Sequence, residues 1–355
     1  MNYKIIVLKD IKQNIILESL SIKDALIRLN DLGTDLTLFV VNADNVVLGT
    51  VTDGDIRRNL ILDVSINANI KTCMYKDFKF LREGNITIEE VKKLKDSSVT
   101  IVPIIDDYGK ILRIINIKNS FSILPLDAII MAGGRGERLR PLTDTVPKPL
   151  LQVGGMPIIE RNIDRLKQFG INNITIALKY LGNQISDYFK SGDSKQINIS
   201  YVDELIPLGT IGAIKLVDKF VHDDILVMNS DLLTNVDFEQ MYLLYKESNA
   251  DMIIASTSYD VNIPYAVLET ENGQIKSFKE KPTYSYHSNA GIYIIKKEVI
   301  GIIPEGTFYN ATDLIDDLIK AGKKVVHFPI MGYWLDIGKH EDFEKAQRDV
   351  GKIKF

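Results

Sequence analysis

The sequence predicts an α/β protein: a mixed, mostly parallel sheet with helices on both faces, preceded by a smaller α/β module that repeats itself. Three features point there. Beyond residue 126, short apolar runs alternate with amphipathic helices, the pattern of a largely parallel sheet. Before residue 120 a helix-strand-strand-helix pattern occurs twice, offset by about 65 residues. Between them, Pro125 breaks the segment 121–126, which reads as a linker. The expected division is therefore 1–120, a linker over 121–126, and 127–355. A chain of 355 residues is in any case too long for one ordinary core.

The repeat comes first. "SIKDALIRLNDLG" places Ile22, Ala25, Leu26 and Leu29 at helical spacing behind Ser21 as N-cap. Two β runs follow, joined at Asp44-Asn45, and then a helix carrying Asp55 to Leu60. The second copy reads "TIEEVKKLKD" as helix and "VTIVPIIDDYGKILRIIN" as two strands turning at Asp107 to Gly109. Neither copy can bury its own sheet, so the two are expected to pack as a pseudo-symmetric pair. In the longer stretch, strands are expected at 128–132, 174–178, 197–202, 225–229 and 252–257. "MPIIERNIDRLKQFG" reads as a helix ended by Gly170.

Composition narrows the function. The chain is 45% hydrophobic and 25% charged, with net charge −4, so it lacks the basic excess of a nucleic-acid binder. Small phosphorylated ligands need only local positive charge. One cysteine, Cys73, makes neither an internal disulfide nor a Cys-rich zinc site. The four histidines show no ligand spacing. The N-terminus lacks the long apolar core of a signal peptide, and no stretch approaches the roughly 20 apolar residues of a membrane span. A cytoplasmic protein with no membrane partner is expected.

The chemistry-bearing stretch is "MAGGRGERLRPLTDTVPKPLL", residues 131–151. Gly133, Gly134 and Gly136, just after a strand, leave backbone N–H groups open to an anion. Arg135, Arg138 and Arg140 supply charge, and Pro147 and Pro149 pin Lys148. The loop is not GxGxxG and no Gly-Lys-Ser/Thr follows, so neither a dinucleotide fold nor a Walker A loop fits. Asp231, at the end of a strand, and Asp336, in "WLDIG", are candidate ligands for a hard cation.

These residues, with "PLGTIGAI", "VMNSDLL", "FKEKPTY", "SNAGIYI" and "YWLDIGKHEDFEKA" in order, resemble the sugar-1-phosphate nucleotidyltransferases over about residues 127–349. The loop is most similar to the mannose-1-phosphate guanylyltransferase branch. The resemblance implies a Rossmann-like, GT-A-like sheet. It also implies transfer of a nucleoside monophosphate from a triphosphate to a sugar 1-phosphate, with Mg²⁺. Arg138, Lys148 and Asp231 would be catalytic, and Asp231 and Asp336 would hold the metal. Ala132, Gly133, Gly134, Gly136 and Leu208 would bind the nucleotide. Gly209, Glu280, Lys281 and Asn289 would bind the sugar phosphate. Glu137 departs from the family, which has threonine there; its carboxylate would repel a triphosphate unless it points away or pairs with an arginine.

"GTVTDGDIRR" resembles the nucleotide signature of CBS domains, with Thr52 and Asp55 meeting a ribose and Arg57 and Arg58 a phosphate. The matching residues of the second copy are Asn116 and Asn119, weaker ribose acceptors. A CBS pair (Bateman module) with at most one nucleotide site is expected, binding an adenine nucleotide or serving as a scaffold and homodimer contact. A CBS pair joined to such a transferase is similar to bacterial glucosamine-1-phosphate guanylyltransferases of legionaminic acid synthesis. That implies GTP and glucosamine 1-phosphate, with uridylyl, thymidylyl or cytidylyl transfer as alternatives. A nucleotide-sensing regulator with an inactive transferase domain is the competing class.

Overall fold

The computed structural model describes residues 11–33, 36–84, 86–117 and 122–353. The chain forms two compact units. One comprises residues 1–125 with 167–171 and 193–196; the other comprises 126–166, 172–192 and 197–355. Among the described residues no helix is long and apolar enough to cross a membrane.

In the first unit the repeat is visible as topology. The strands Ile15–Leu17, Thr37–Val41 and Val47–Thr52 form one sheet, and Leu81–Arg82, Ile101–Ile105 and Ile111–Asn116 form another. In each, the first strand runs parallel to the second and the second makes a hairpin with the third. Both hairpins shift register at the same place, after Val40 and after Ile104. A reciprocal capping box starts each helix: Ser21 with Asp24 for Ile22–Leu32, Thr87 with Glu90 for Ile88–Asp96.

Strand alternation then sorts the core. Leu38, Val40 and Val51 face the helix that carries Ile22, Ala25 and Leu29. Phe39, Val41 and Val47 pack instead against Ile101, Ile105 and Ile114 of the other sheet. Each copy thus covers a face the other cannot cover alone. The hairpin turns also meet, Val47 N–H donating to Gly109 O at 3.0 Å. The closing helix expected for the second copy does not continue into 122–126, which holds neither helix nor strand. Pro125 supplies no N–H there. Asn119 and residues 118–121 lie outside the described residues.

In the second unit we label β1 Asp127–Ala132, β2 Asn173–Leu178, β3 Asn198–Asp203, β4 Asp224–Asn229, β5 Met252–Asn262, β6 Thr283–Lys296 and β7 Val325–Pro329. They form one sheet in the order β3-β2-β1-β4-β6-β5-β7. Only β6 is antiparallel, to both β4 and β5. Five of these strands match the sequence expectation to within a few residues. Strands β6 and β7 were not anticipated, because insertion of a strand between β4 and β5 is a long-range choice.

Both parities of the central strands are buried. Ile129, Val227, Tyr293 and Met252 pack on the helix Ala311–Lys320 through Leu314 and Leu318. Ala128, Ile130, Leu226, Met228, Ile292 and Ile294, of the opposite parity, are equally sealed. A sheet covered on both faces leaves its strand ends as the place for a ligand. The starting end of β1 is closed, Asp127 accepting from the N–H of Val221 and His222 and from the His222 ring.

Candidate active site

A cavity of about 490 Å³ opens at the carboxyl ends of β1, β2, β3 and β4. Its wall includes Gly133, Gly134, Gly136, Glu137 and Arg138 from the loop after β1, and Lys148. Lys179 follows β2, Glu204 follows β3, and Asn229, Ser230 and Asp231 come from β4 and its end. Gly209, Thr210, Phe308 and Gly338 complete it.

The loop's shape follows from its glycines. Gly136 has φ +64°, and a Cβ there would sit 3.0 Å from Lys148 Cβ and from Thr143 Cγ2. Its carbonyl accepts from the Leu139 N–H at 2.9 Å and the Thr143 hydroxyl at 2.9 Å, closing a turn that holds Arg138. A Cβ on Gly133 would meet Glu204 Oε1 at 2.6 Å and Lys179 Cβ at 3.3 Å. The three arginines separate. Arg138 lines the cavity, its guanidinium beside Gly338, while Arg135 lies over the Tyr180 ring and Arg140 pairs with Asp144 at 3.3 Å.

Lys148 is the first residue of a single 3₁₀ turn behind Pro147 and is 9% exposed. Its ammonium pairs with Asp231 and lies 4.0 Å from Asp336 Oδ1. The two aspartates are distant in sequence. They meet because Leu232–Thr234 pairs antiparallel with Trp334–Asp336, in a register that sets Leu232 opposite Asp336. The Ile337 N–H closes the contact on the Asp231 carbonyl at 3.1 Å. Trp334 has a packing role there, its indole N–H donating to Ala290 O at 2.9 Å.

Asp231 Oδ1 and Asp336 Oδ1 are both buried with no hydrogen-bond partner among the described residues, although other parts of the Asp336 side chain meet solvent. Burial pushes the Asp336 carboxyl up, and the Asp231 charge adds to it. Lys148 and Arg138 act in the opposite direction. Two orphaned carboxylate oxygens beside a lysine fit a divalent cation. Among the described residues no cluster of three or more His, Cys, Asp or Glu could hold a metal alone.

Several other candidates take different positions. Gly209 lines the cavity with φ +77°, and a Cβ there would lie 2.4 Å from Tyr309 O. Ala132 ends β1 and is buried. Leu208 is also buried and reaches the site through its N–H, which donates to Glu204 Oε2 at 2.9 Å. Asn289 lies opposite Ser256 of β5, just beyond the part of β6 that pairs with β4, its Oδ1 accepting from the Gly291 N–H. Glu280 and Lys281 are exposed on the ribbon between β5 and β6 and do not line the cavity. Glu137 does line it, and among the described residues no ion pair holds it.

Glu204 and Lys179 were missed by the sequence reading. The only signal for either was charge just past an apolar run, in "VDELIP" and "IALKY". Glu204 is 8% exposed, and burial raises its pKa above the ordinary carboxylate value; the Leu208 N–H and the Lys179 charge offset this in part.

In the first unit, Thr52 and Asp55 are engaged with each other. The Thr52 hydroxyl and N–H donate to Asp55 Oδ2 at 2.6 and 2.8 Å, forming the capping box of the helix Asp53–Ile61. Arg57 pairs with Asp53, and Arg58 with Asp55 at 2.5 Å.

A glycine-rich loop, one pinned lysine and two facing aspartates thus meet at the end of a doubly covered sheet, a set of groups suited to binding phosphate. The chain belongs to the nucleotidyl transferase family, which matches residues 127–353. A CBS domain matches residues 8–62. The chain is 32% identical over 226 residues to mannose-1-phosphate guanyltransferase of Yarrowia lipolytica, covering 61% of this chain and 62% of that protein. It is 32% identical over 245 residues to UTP–glucose-1-phosphate uridylyltransferase of Synechocystis, 63% of each chain. It thus spans less than two thirds of the curated relatives it matches. Among solved structures, a putative glucose-1-phosphate thymidylyltransferase of Bacillus anthracis superposes with TM-score 0.54 at 26% identity. That match covers 65% of this chain and 97% of the other.

Proposed function

We propose that this chain transfers a nucleoside monophosphate from a triphosphate to a sugar 1-phosphate, with release of pyrophosphate. The observation that carries the reading is the Lys148–Asp231–Asp336 group, with two buried carboxylate oxygens unsatisfied, beside a glycine loop shaped for an anion. An oxygen of the sugar phosphate attacks the α-phosphorus; the bond from that phosphorus to the β-bridging oxygen breaks. The nucleophile is already an anion at neutral pH, so the site needs no general base. Its work is positioning and charge neutralisation. Arg138 neutralises the leaving pyrophosphate, and Lys148 the reacting phosphate. Asp231 and Asp336 would hold Mg²⁺, which supplies further charge neutralisation on the phosphates. Glu280 and Lys281, which do not line the cavity, are assigned to the sugar phosphate by resemblance alone, with Asn289 and Gly209 near the sugar.

GTP is the proposed triphosphate. The buried Glu204 carboxylate supports it, since guanine presents two adjacent donors, N1–H and the N2 amine, to a pair of acceptor oxygens. The guanylyltransferase relatives support the same base. Glucosamine 1-phosphate is proposed from the resemblance of the combined CBS and transferase regions alone. Pyrophosphate release with Mg²⁺, across four triphosphates and several sugar 1-phosphates, tests all of this. The expected maximum is GTP with glucosamine 1-phosphate, and silence in every combination would move the reading to a regulator.

The CBS pair is proposed as a scaffold that supports a homodimer. Two observations support this: Ile61 and Leu62 are each 74% exposed, and Thr52, Asp55 and Arg57 already satisfy local partners. Titration of the full chain with AMP, ATP and GTP checks it. Saturable adenine-nucleotide binding that Asp55→Ala abolishes would assign the Thr52–Asp55 site to a ligand instead.

A further inference from the structure

The cavity has two chemically different ends, sorted by the glycines of one loop. Gly136 is closed against Lys148, which pairs with Asp231. Gly133 is closed against the Glu204 carboxylate and the root of Lys179. The Arg138–Lys148 end draws a triphosphate, whereas the Glu204 end carries a carboxylate that no cation pairs with within 4.0 Å among the described residues, so that with Lys179 it holds one charge of each sign. The end at Glu204 therefore suits the uncharged, hydrogen-bonding part of a nucleotide, its base.

Lys179 has no assigned task there. It lines the cavity and makes no ion pair among the described residues, and its charge acts on Glu204. We propose that Lys179 is a specificity-determining residue, whose ammonium donates to O6 of guanine while Glu204 accepts from N1–H and the N2 amine. Both side chains approach Gly133, from the ends of the adjacent strands β2 and β3 on one side of β1. An ammonium beside a carboxylate is complementary to the neighbouring acceptor and donors of the guanine edge. Any Cβ at Gly133 would fill the space between them. The inference rests on the nucleotidyltransferase reading and adds the residue that reads the base's oxygen.

The test is steady-state turnover of the full chain with GTP and with 6-thio-GTP, whose sulfur is a weak acceptor but whose N1–H and N2 amine are intact. The wild-type chain is expected to favour GTP by about tenfold or more in kcat/KM, as loss of a charge-assisted hydrogen bond implies. Lys179→Met should lower kcat/KM for GTP by about the same factor and bring the two nucleotides to near equality. Lys179→Arg, which keeps a donor, should restore part of the preference. Equal losses on both nucleotides in Lys179→Met would place the ammonium on phosphate and overturn the proposal. So would a preference that survives in that variant. A wild-type chain that turns over no triphosphate, or favours UTP, would instead remove the underlying reading, so the two failures are told apart.

Discussion

The two units use the same residue types to opposite ends. In the first, Thr52, Asp53, Asp55, Arg57 and Arg58 satisfy one another within two turns of one helix, a capping box with ion pairs along its surface. In the second, Asp231 and Asp336 come from distant strands, and one oxygen of each is buried with nothing to bind. A local group that closes on itself stabilises a helix end. A long-range group that leaves polar atoms unpaired costs stability, and a ligand can repay it.

That contrast can be broken most forcefully at the second unit. Lys148→Ala, Asp231→Asn or Asp336→Asn should each lower kcat by roughly 10²-fold or more, each removing charge stabilisation from the transition state. Near wild-type turnover in all three would erase the distinction. Next comes the cation. Mg²⁺ should raise the thermal unfolding midpoint of the full chain, by about 2.7 kcal/mol of stability at a hundredfold excess over its Kd. Asp231→Asn should largely remove that response while Asp55→Ala keeps it.

In the first unit, Thr52→Ala should cost about 1 kcal/mol, read by denaturant unfolding, and leave turnover unchanged. The smallest effect is at Glu204. Burial raises its folded pKa above the unfolded value, so the folded state holds the proton more tightly. Its stabilising contribution is therefore fully present in acid, below the unfolded value, and is lost as pH rises through the folded one. Glu204→Gln should raise the unfolding midpoint at neutral pH by up to about 3 °C, with the gain fading in acid. A gain that grows as pH falls would contradict the sign.

Much of this was legible in one dimension. Alternating apolar runs fixed five of the seven strands, because burial on both faces writes a continuous apolar signature. The repeat was legible because both copies carry a helix followed by a β-hairpin. Gly133, Gly136, Arg138 and Lys148 were legible as a unit because one short stretch of sequence contains them all. Other features were hidden. That Arg135 and Arg140 leave the cavity depends on Tyr180 and Asp144. Glu280 and Lys281 looked adjacent to the site in motif order, yet the ribbon that carries them stands outside the cavity.

The sequence by itself determined the local chemistry: where the loop turns, which lysine is pinned, which residues cap each helix. Those depend on backbone sterics and on groups a few positions apart, which a linear string records. Tertiary structure alone decided that Asp231 meets Asp336, through a register between two short strands. It also decided that Glu204 and Lys179 both pack against Gly133. Those pairings are set by the sheet order β3-β2-β1-β4, and strand order is chosen by the whole core's burial rather than by any neighbour in the chain.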